Sequence, residues 1–394
     1  MNIDFSPKEQ ALRSELRAYY ENLFTDVDLR QRLDSEWAEL GGPAFREAMG
    51  HMGRDGWLTI GWPKEFGGQG RSHLDQFIFW DETWRARAPL PLITVNTVGP
   101  MVMQHGSDAQ KKEILPRIQR GELMVGIGYT EPGSGTDLAS LQTRAERDGD
   151  EWVINGQKVY TTHAQDADYI WLAARTNQDV KRHKGISIIL VPTDTPGYSC
   201  TPIYTIGGER TNATYFEDVR VPIENTVGPV DGGWGLITSQ LNLERIMLAM
   251  PASLERLHEE IWSWAQNTDR PGGGKVIDEP YVQTALATVF AKLEALKVLN
   301  WRAAWLMDQG DPAMADASAV KVFGTEMVIE CYRLLLEITG QLGLARTGEQ
   351  GTLFGGHLEA AYRLAMVNTF GGGVNEVQRD IIAMAGLLLP RARR

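Results

Sequence analysis

Four short segments combine residue types at spacings that could do chemistry. The first, Tyr129-Thr130-Glu131-Pro132-Gly133-Ser134-Gly135-Thr136-Asp137, interleaves glycines with hydroxyls. Its glycines let a ligand approach the backbone closely, and its hydroxyls and amides can bond a polar ring or a phosphate. A plain glycine-rich loop has the same composition, and the dinucleotide fingerprint G-x-G-x-x-G ahead of a helix is absent. The second segment is Asn155-Gly156-Gln157-Lys158 with Tyr160-Thr161-Thr162, by itself a hairpin. The third, Leu241-Asn242-Leu243-Glu244-Arg245, reads as the opening of a helix after Gly232-Gly233-Trp234, where a Glu-Arg pair is ordinarily a solvated ion pair. The fourth runs from Thr369 through Gly371-Gly372-Gly373 to Asn375-Glu376-Val377-Gln378-Arg379. Three consecutive glycines there make either a tight backbone site with exposed amides or a flexible interhelical loop. His51, His73, His105 and His163 show neither metal nor triad spacing, so no metal is expected.

These segments need elements to hold them, and the periodicity changes twice along the chain. Residues 6 to about 122 read as helical, beginning at Ser6-Pro7-Lys8-Glu9, a cap with proline at the first helical position and an acid at the third. Gln110 to Gln119 reads as a further helix closed by Gly121. From Met124 to Val230 short alternating runs separated by turn residues predict a β-domain. Asn155-Gly156 between β-prone runs predicts a hairpin turn, and Ile186 to Val191 a buried strand ending at Pro192. After Gly232-Gly233 the helical period returns. Val282, Leu286, Val289, Leu293 and Leu296 form one stripe, and Val320, Phe323, Met327, Cys331 and Leu334 another. Cys331 on that stripe is expected to pack in a core. The boundaries read from this pattern are 1–123, 124–232 and 233–394, giving an α+β, mainly α chain.

The chain has 394 residues, enough for two or three domains at about 150 residues each. Its 39 basic and 51 acidic residues give a net charge of −12, which disfavours sequence-independent nucleic-acid binding. The basic stretch Lys181-Arg182-His183-Lys184 and the tail from Arg391 to Arg394 remain candidates for a phosphate-bearing small molecule. Two distant cysteines, Cys200 and Cys331, exclude a disulfide framework and point to a reducing cytoplasm. Neither a signal-peptide pattern nor a membrane-length apolar run is visible.

The order and spacing of the four segments resemble the acyl-CoA dehydrogenase family over nearly the whole chain. The resemblance implies an N-terminal helical domain, a middle β-barrel or sandwich domain and a C-terminal four-helix bundle. It implies FAD bound between subunits and removal of two hydrogens from the α and β carbons of an acyl-CoA thioester. Thr130, Thr136, Tyr160 and Thr162 would contact the flavin ring and the substrate around it, with Tyr129, Gly135 and Glu376 completing the cofactor set. Asn242, Arg245, Gly371 and Gly373 would line the substrate. The chemistry needs a carboxylate base and a hydrogen-bond donor to the thioester oxygen, the latter worth about 3 kcal/mol in the transition state.

Departures from the family pattern sharpen the reading. Aligned on Asn375-Glu376-Val377-Gln378-Arg379, the usual position of the base is Gly372. The branches resembling isovaleryl- and long-chain acyl-CoA dehydrogenases carry their base just before an Arg on the helix that begins the bundle. Glu244-Arg245 matches, so Glu244 is the expected base and the Gly372 amide, or its neighbour, the expected donor. The segments that would clamp a neighbouring subunit's FAD are altered. One reads Arg270-Pro271-Gly272-Gly273-Gly274-Lys275, without the aromatic residue, and the other Glu337-Ile338-Thr339-Gly340-Gln341, with an acid in place of Gln. An acid near pyrophosphate is electrostatically unfavourable. With the Gly371–Gly373 opening, this resembles the actinobacterial heteromeric dehydrogenases of steroid side-chain degradation, α2β2 assemblies of two different family chains. The expectation is dehydrogenation of a bulky or branched acyl-CoA with electrons passing to an electron-transfer flavoprotein. The competing readings are an oxidase-like enzyme using oxygen and a catalytically silent partner that clamps FAD.

Overall fold

The computed structural model describes residues 4–247, 249–310 and 314–390, with residues 241–247 described by backbone alone. Six helices open the chain: α1 (Pro7–Leu23), α2 (Val27–Glu36), α3 (Pro43–Arg54), α4 (His73–Arg85), α5 (Gly99–His105) and α6 (Asp108–Gln119). The Ser6 hydroxyl accepts from the Glu9 amide while the Glu9 carboxylate accepts from the Ser6 amide, the reciprocal cap that the sequence predicts for α1. Helix α6 begins two residues before the expected Gln110, because Ser107 caps it and Gln110 closes the box. A turn of π-helix, Ile93–Val98, leads directly into α5.

The middle region has eight strands: β1 (Val125–Gly128), β2 (Arg144–Asp148), β3 (Glu151–Lys158), β4 (Tyr169–Arg175), β5 (Ile186–Pro192), β6 (Tyr198–Tyr204), β7 (Arg210–Pro222) and β8 (Thr226–Val227). The expected barrel or sandwich takes the form of one hydrogen-bonded sheet in the order β6-β7-β3-β2-β4-β5-β8, with β1 parallel to β4. Strand β5 is buried along Ile186–Val191, as its uninterrupted apolar run predicts.

The hairpin predicted at Asn155-Gly156 is a correction. The turn lies at Gly149 (φ 64°), joining β2 to β3 through the Asp148–Glu151 pair. Asn155 and Gly156 sit inside β3, where its register against β7 shifts between Ile154 and Gly156. Gly156 (φ 152°) has no room for a side chain, since a Cβ would lie 2.5 Å from the Thr143 hydroxyl. The Asn155 amide instead exchanges hydrogen bonds with Asp218 across the irregularity at 2.9 and 3.0 Å. The turn-forming dipeptide makes a bulge here.

Helices return with α7 (Gly233–Met247), α8 (Ala252–Asn267), α9 (Pro280–Asp308), α10 (Met314–Thr339), α11 (His357–Ala365) and α12 (Asn375–Ile381). Helix α7 starts at Gly233, so Asn242, Glu244 and Arg245 lie in its later turns and do not open it. Every member of the α9 stripe is buried, while Phe323 and Leu334 of the α10 stripe are only partly covered. Cys331 is buried with its thiol 3.2 Å from the Met327 sulfur, and burial pushes that thiol up to about 12, as suits a packing residue. One apolar core runs from Leu12 and Phe77 through Val98 to Trp171 and Ile188 of the sheet and Leu236 of α7. The first two domains therefore share their interior with the start of the third. A second core fills the bundle around Leu257, Leu293 and Leu335. Among the described residues no helix is long and apolar enough to cross a membrane.

Candidate functional site

The first segment leaves the sheet at the end of β1 and is held by its buried side chains. Tyr129 turns inward. Its hydroxyl donates to Gln240 Oε1 of α7 at 2.5 Å and accepts from Trp171 Nε1 of β4 at 3.0 Å. Glu131 is buried against Lys158, with Nζ 2.8 Å from Oε1, and the same ammonium donates to the Tyr129 carbonyl at 3.0 Å. The Glu131 carboxylate also accepts the amides of Gln142 and Thr143 at 2.6 and 2.7 Å. Burial alone would raise Glu131, but the ammonium and the two amides hold its carboxyl below the ordinary range. Burial pulls the Lys158 ammonium down to about 8 against the opposing pull of Glu131. An ion pair inside the sheet thus anchors the loop, leaving Thr130 half-buried and Gly135 and Thr136 exposed.

The second segment meets the first directly. The Val159 amide donates to the Thr130 carbonyl at 2.8 Å, which sets Thr130 beside Tyr160. Tyr160 is 63% exposed and holds φ 60°, and His163 holds φ 66° three residues on. Two non-glycine residues with left-handed backbone so close together are a strained arrangement of the kind found at ligand sites. Neighbouring contacts fix it: the Thr161 amide donates to the Asn212 carbonyl at 2.9 Å, and the Thr162 and Thr211 hydroxyls lie 3.4 Å apart. His163 is buried with Nδ1 2.5 Å from the Leu40 carbonyl, and burial lowers its pKa.

The third and fourth segments come together on α10. Gln240 and position 244 are one turn apart on α7, so they share a face of that helix. The side chains of Asn242, Glu244 and Arg245 lie outside the described residues. Helix α7 is followed closely by Ala249, against which Gly324 of α10 packs without room for a methyl group. One turn earlier on α10, the buried Lys321 donates to the Thr369 and Gly373 carbonyls at 3.1 and 2.7 Å and to Asn375 Oδ1 at 2.7 Å. Gly372 and Gly373 hold φ 66° and 97°, and among the described residues their amides meet no acceptor. Gly371 is tied back, its amide donating to the Val367 carbonyl at 2.7 Å. Glu376 is exposed in the first turn of α12.

The two altered clamp segments are engaged locally. Arg270 pairs with Glu279 and bonds the Gly273 carbonyl, Lys275 pairs with Asp269 at 2.7 Å, and Glu337 pairs with Arg333. The fit to a flavin therefore differs between its two halves. Around Thr130 and Tyr160 the chain offers an exposed aromatic ring, open hydroxyls and glycines that leave space. A Cβ at Gly133 would meet nothing within 4 Å, and one at Gly135 only a Thr130 methyl at 3.9 Å. These features suit a polar planar ring. At residues 270–275 and 337–341 no cation stands free of an acidic partner to hold a pyrophosphate.

Reading the sequence alone missed Gln240, Trp171 and Lys321, and it missed the pairing of Glu131 with Lys158. A signal for the pair was present: Lys158 falls on the same alternate positions of β3 as the buried Trp152 and Ile154. A lysine on an apolar face requires a buried partner.

Comparison with known proteins agrees with this arrangement. Residues 6–122, 126–219 and 231–387 match the N-terminal, middle and C-terminal domains of acyl-CoA dehydrogenase. The chain is 50% identical to acyl-CoA dehydrogenase FadE26 and 48% identical to acyl-CoA dehydrogenase FadE29, both of Mycobacterium tuberculosis, with 100% of each chain covered. Its fold is similar to a chain of the ChsE4-ChsE5 complex of Mycobacterium tuberculosis, with TM-score 0.93, 51% identity and 100% of both chains covered. A chain of the Tcur3481-Tcur3483 steroid acyl-CoA dehydrogenase matches with TM-score 0.94, 48% identity and the same full coverage. The chain belongs to the acyl-CoA dehydrogenase family and is an oxidoreductase of that class.

Proposed function

We propose that this enzyme binds FAD and converts a bulky acyl-CoA, of the steroid side-chain class, to its trans-2-enoyl-CoA, with Glu244 as the base for the α-proton. The observation that carries the reading is the Tyr129–Gln240 hydrogen bond. It presses the first segment against α7 one turn before position 244, while Lys321 and Gly324 bring the triglycine loop and the end of α7 onto one helix. The loop around Thr130, Thr136, Tyr160 and Thr162 receives the flavin ring. When bound, FAD supplies the acceptor for the two electrons that leave with the β-hydrogen. The Gly372 and Gly373 amides bond the thioester oxygen, where charge develops as the α-proton departs. Asn242, Arg245 and Gly371 line the acyl-CoA, and a glycine where the family usually carries its base leaves space for a large acyl group.

The assembly is an α2β2 pairing with a second family chain, which supplies the clamp that residues 270–275 and 337–341 do not form. Two relatives are described as two-component complexes, one of them a steroid enzyme. Both cysteines are unpaired, which suits a reducing cytoplasm, and an electron-transfer flavoprotein is the natural acceptor. Glu244→Gln in the co-expressed complex tests the central assignment. It should retain flavin and bind acyl-CoA, yet bleach at least a thousandfold more slowly under anaerobic titration with a steroid acyl-CoA. Near-normal bleaching would move the base elsewhere.

A further inference from the structure

Lys321 is a charged group with no exposed surface, in the interior of a helical bundle. Burying an ammonium is costly unless its protons are placed on acceptors. Among the described residues its acceptors include two main-chain carbonyls that flank one short loop, Thr369 before it and Gly373 at its end, together with the Asn375 side chain just beyond. Asn375 passes the restraint back to α10, its amide donating to Thr325 Oγ1 at 3.1 Å and Glu326 Oε1 at 3.0 Å. Both ends of the loop are therefore fixed to the same two turns of α10.

That restraint decides what a run of three glycines can do. Ordering a residue costs backbone entropy, and glycine loses more of it than any other residue. Without a fixed frame, residues 371–373 would sample many conformations and point their amides in no common direction. In the fold they hold one: Gly371 is bonded back to Val367, while Gly372 and Gly373 take left-handed backbone with amides that meet no acceptor among the described residues.

We propose that Lys321 is a positioning residue: its ammonium draws the Thr369 and Gly373 carbonyls together and so presents the Gly372 and Gly373 amides to the thioester oxygen. Lys321 itself touches no substrate. The inference rests on the reading above that these amides are the donors to that oxygen.

The test is a binding measurement on the co-expressed holoenzyme that needs no turnover. Two probes are titrated by their effect on the flavin spectrum: 3,3-dimethylbutanoyl-CoA, whose β-carbon carries no hydrogen to lose, and 3,3-dimethylbutyl-CoA, its thioether counterpart without the carbonyl oxygen. The native enzyme should prefer the thioester. In Lys321→Met that preference should fall about tenfold, the size of one net hydrogen bond, with thioether affinity within twofold of native. Lys321→Gln, which keeps a neutral amide NH2 donor, provides the same ratio per bound flavin should the Met variant fold poorly. Equal weakening of both probes would mean a general structural role and would overturn the proposal, as would an unchanged preference. A native enzyme with no preference would instead overturn the reading of the amides on which the proposal stands. Flavin reduction enters none of these measurements, because the β-carbon of the thioester has no hydrogen to give.

Discussion

The Glu131–Lys158 pair shows how a single buried interaction can decide the shape of the loop that follows β1. Removing one member leaves the other charge without its partner inside the sheet, which typically costs 3–5 kcal/mol, whereas neutralising both together costs less. Lys158→Met should therefore lower the urea-unfolding free energy by roughly that amount. The double variant Glu131→Gln with Lys158→Met should recover part of it, and additive losses would show that the two do not act as a pair. The pair also explains why the site was half legible. Glycines, hydroxyls and the acid of the first segment declare themselves in the sequence, as does the lysine of the second. Their contact does not, because it joins residues 27 apart across a sheet whose register shifts at Gly156.

At the scale of elements, periodicity read well and turns read poorly. The α9 stripe, the α1 cap and the buried β5 follow from spacing alone, since each is a local pattern set by helix or strand geometry. Asn155-Gly156 misled because the dipeptide favours unusual backbone wherever it falls, and only cross-strand contacts decide between turn and bulge. Gly156→Ala should cost about 1–3 kcal/mol through its clash with Thr143, measured as a lower unfolding midpoint. The start of α8 carries a pH response. Asp81 of α4 accepts the Ala252 amide at 3.0 Å, and burial, with Glu82 and Glu255 nearby, raises its carboxyl to about 7. The folded protein therefore binds a proton there that the unfolded chain releases near pH 4. The stabilisation from this group is complete below pH 4 and is lost as pH rises through 7. Asp81→Asn should gain on the native protein between pH 5 and 8, and parallel pH profiles of the thermal midpoint would refute the assignment.

Over the whole molecule, the C-terminal region exposes several large apolar side chains, most of them in turns and at its end. Trp305, Leu342, Leu344, Phe370, Leu387 and Leu388 are each more than half exposed. Large apolar side chains left exposed in this number suit contact with another chain, as the heteromer proposed above requires. Expressed alone, the chain should be poorly soluble or poor in flavin, and co-expression with a second dehydrogenase chain should restore yellow protein. A well-behaved homo-oligomer with one flavin per chain would count against the heteromer. The apolar helices of the bundle suggest cover by neighbours, but these particular residues were not legible in the sequence, because most of them stand in turns outside any helical stripe. Helix α10 carries a last consequence. Through Lys321 it fixes the triglycine loop, and through Gly324, three residues on, it abuts Ala249 at the end of α7. On the function proposed above, the proton-accepting side of the reaction and the oxygen-binding side are thus hung from a single rod. A descendant that widened its cleft by sliding that rod would move both at once, so new acyl groups are more readily admitted by trimming side chains around it.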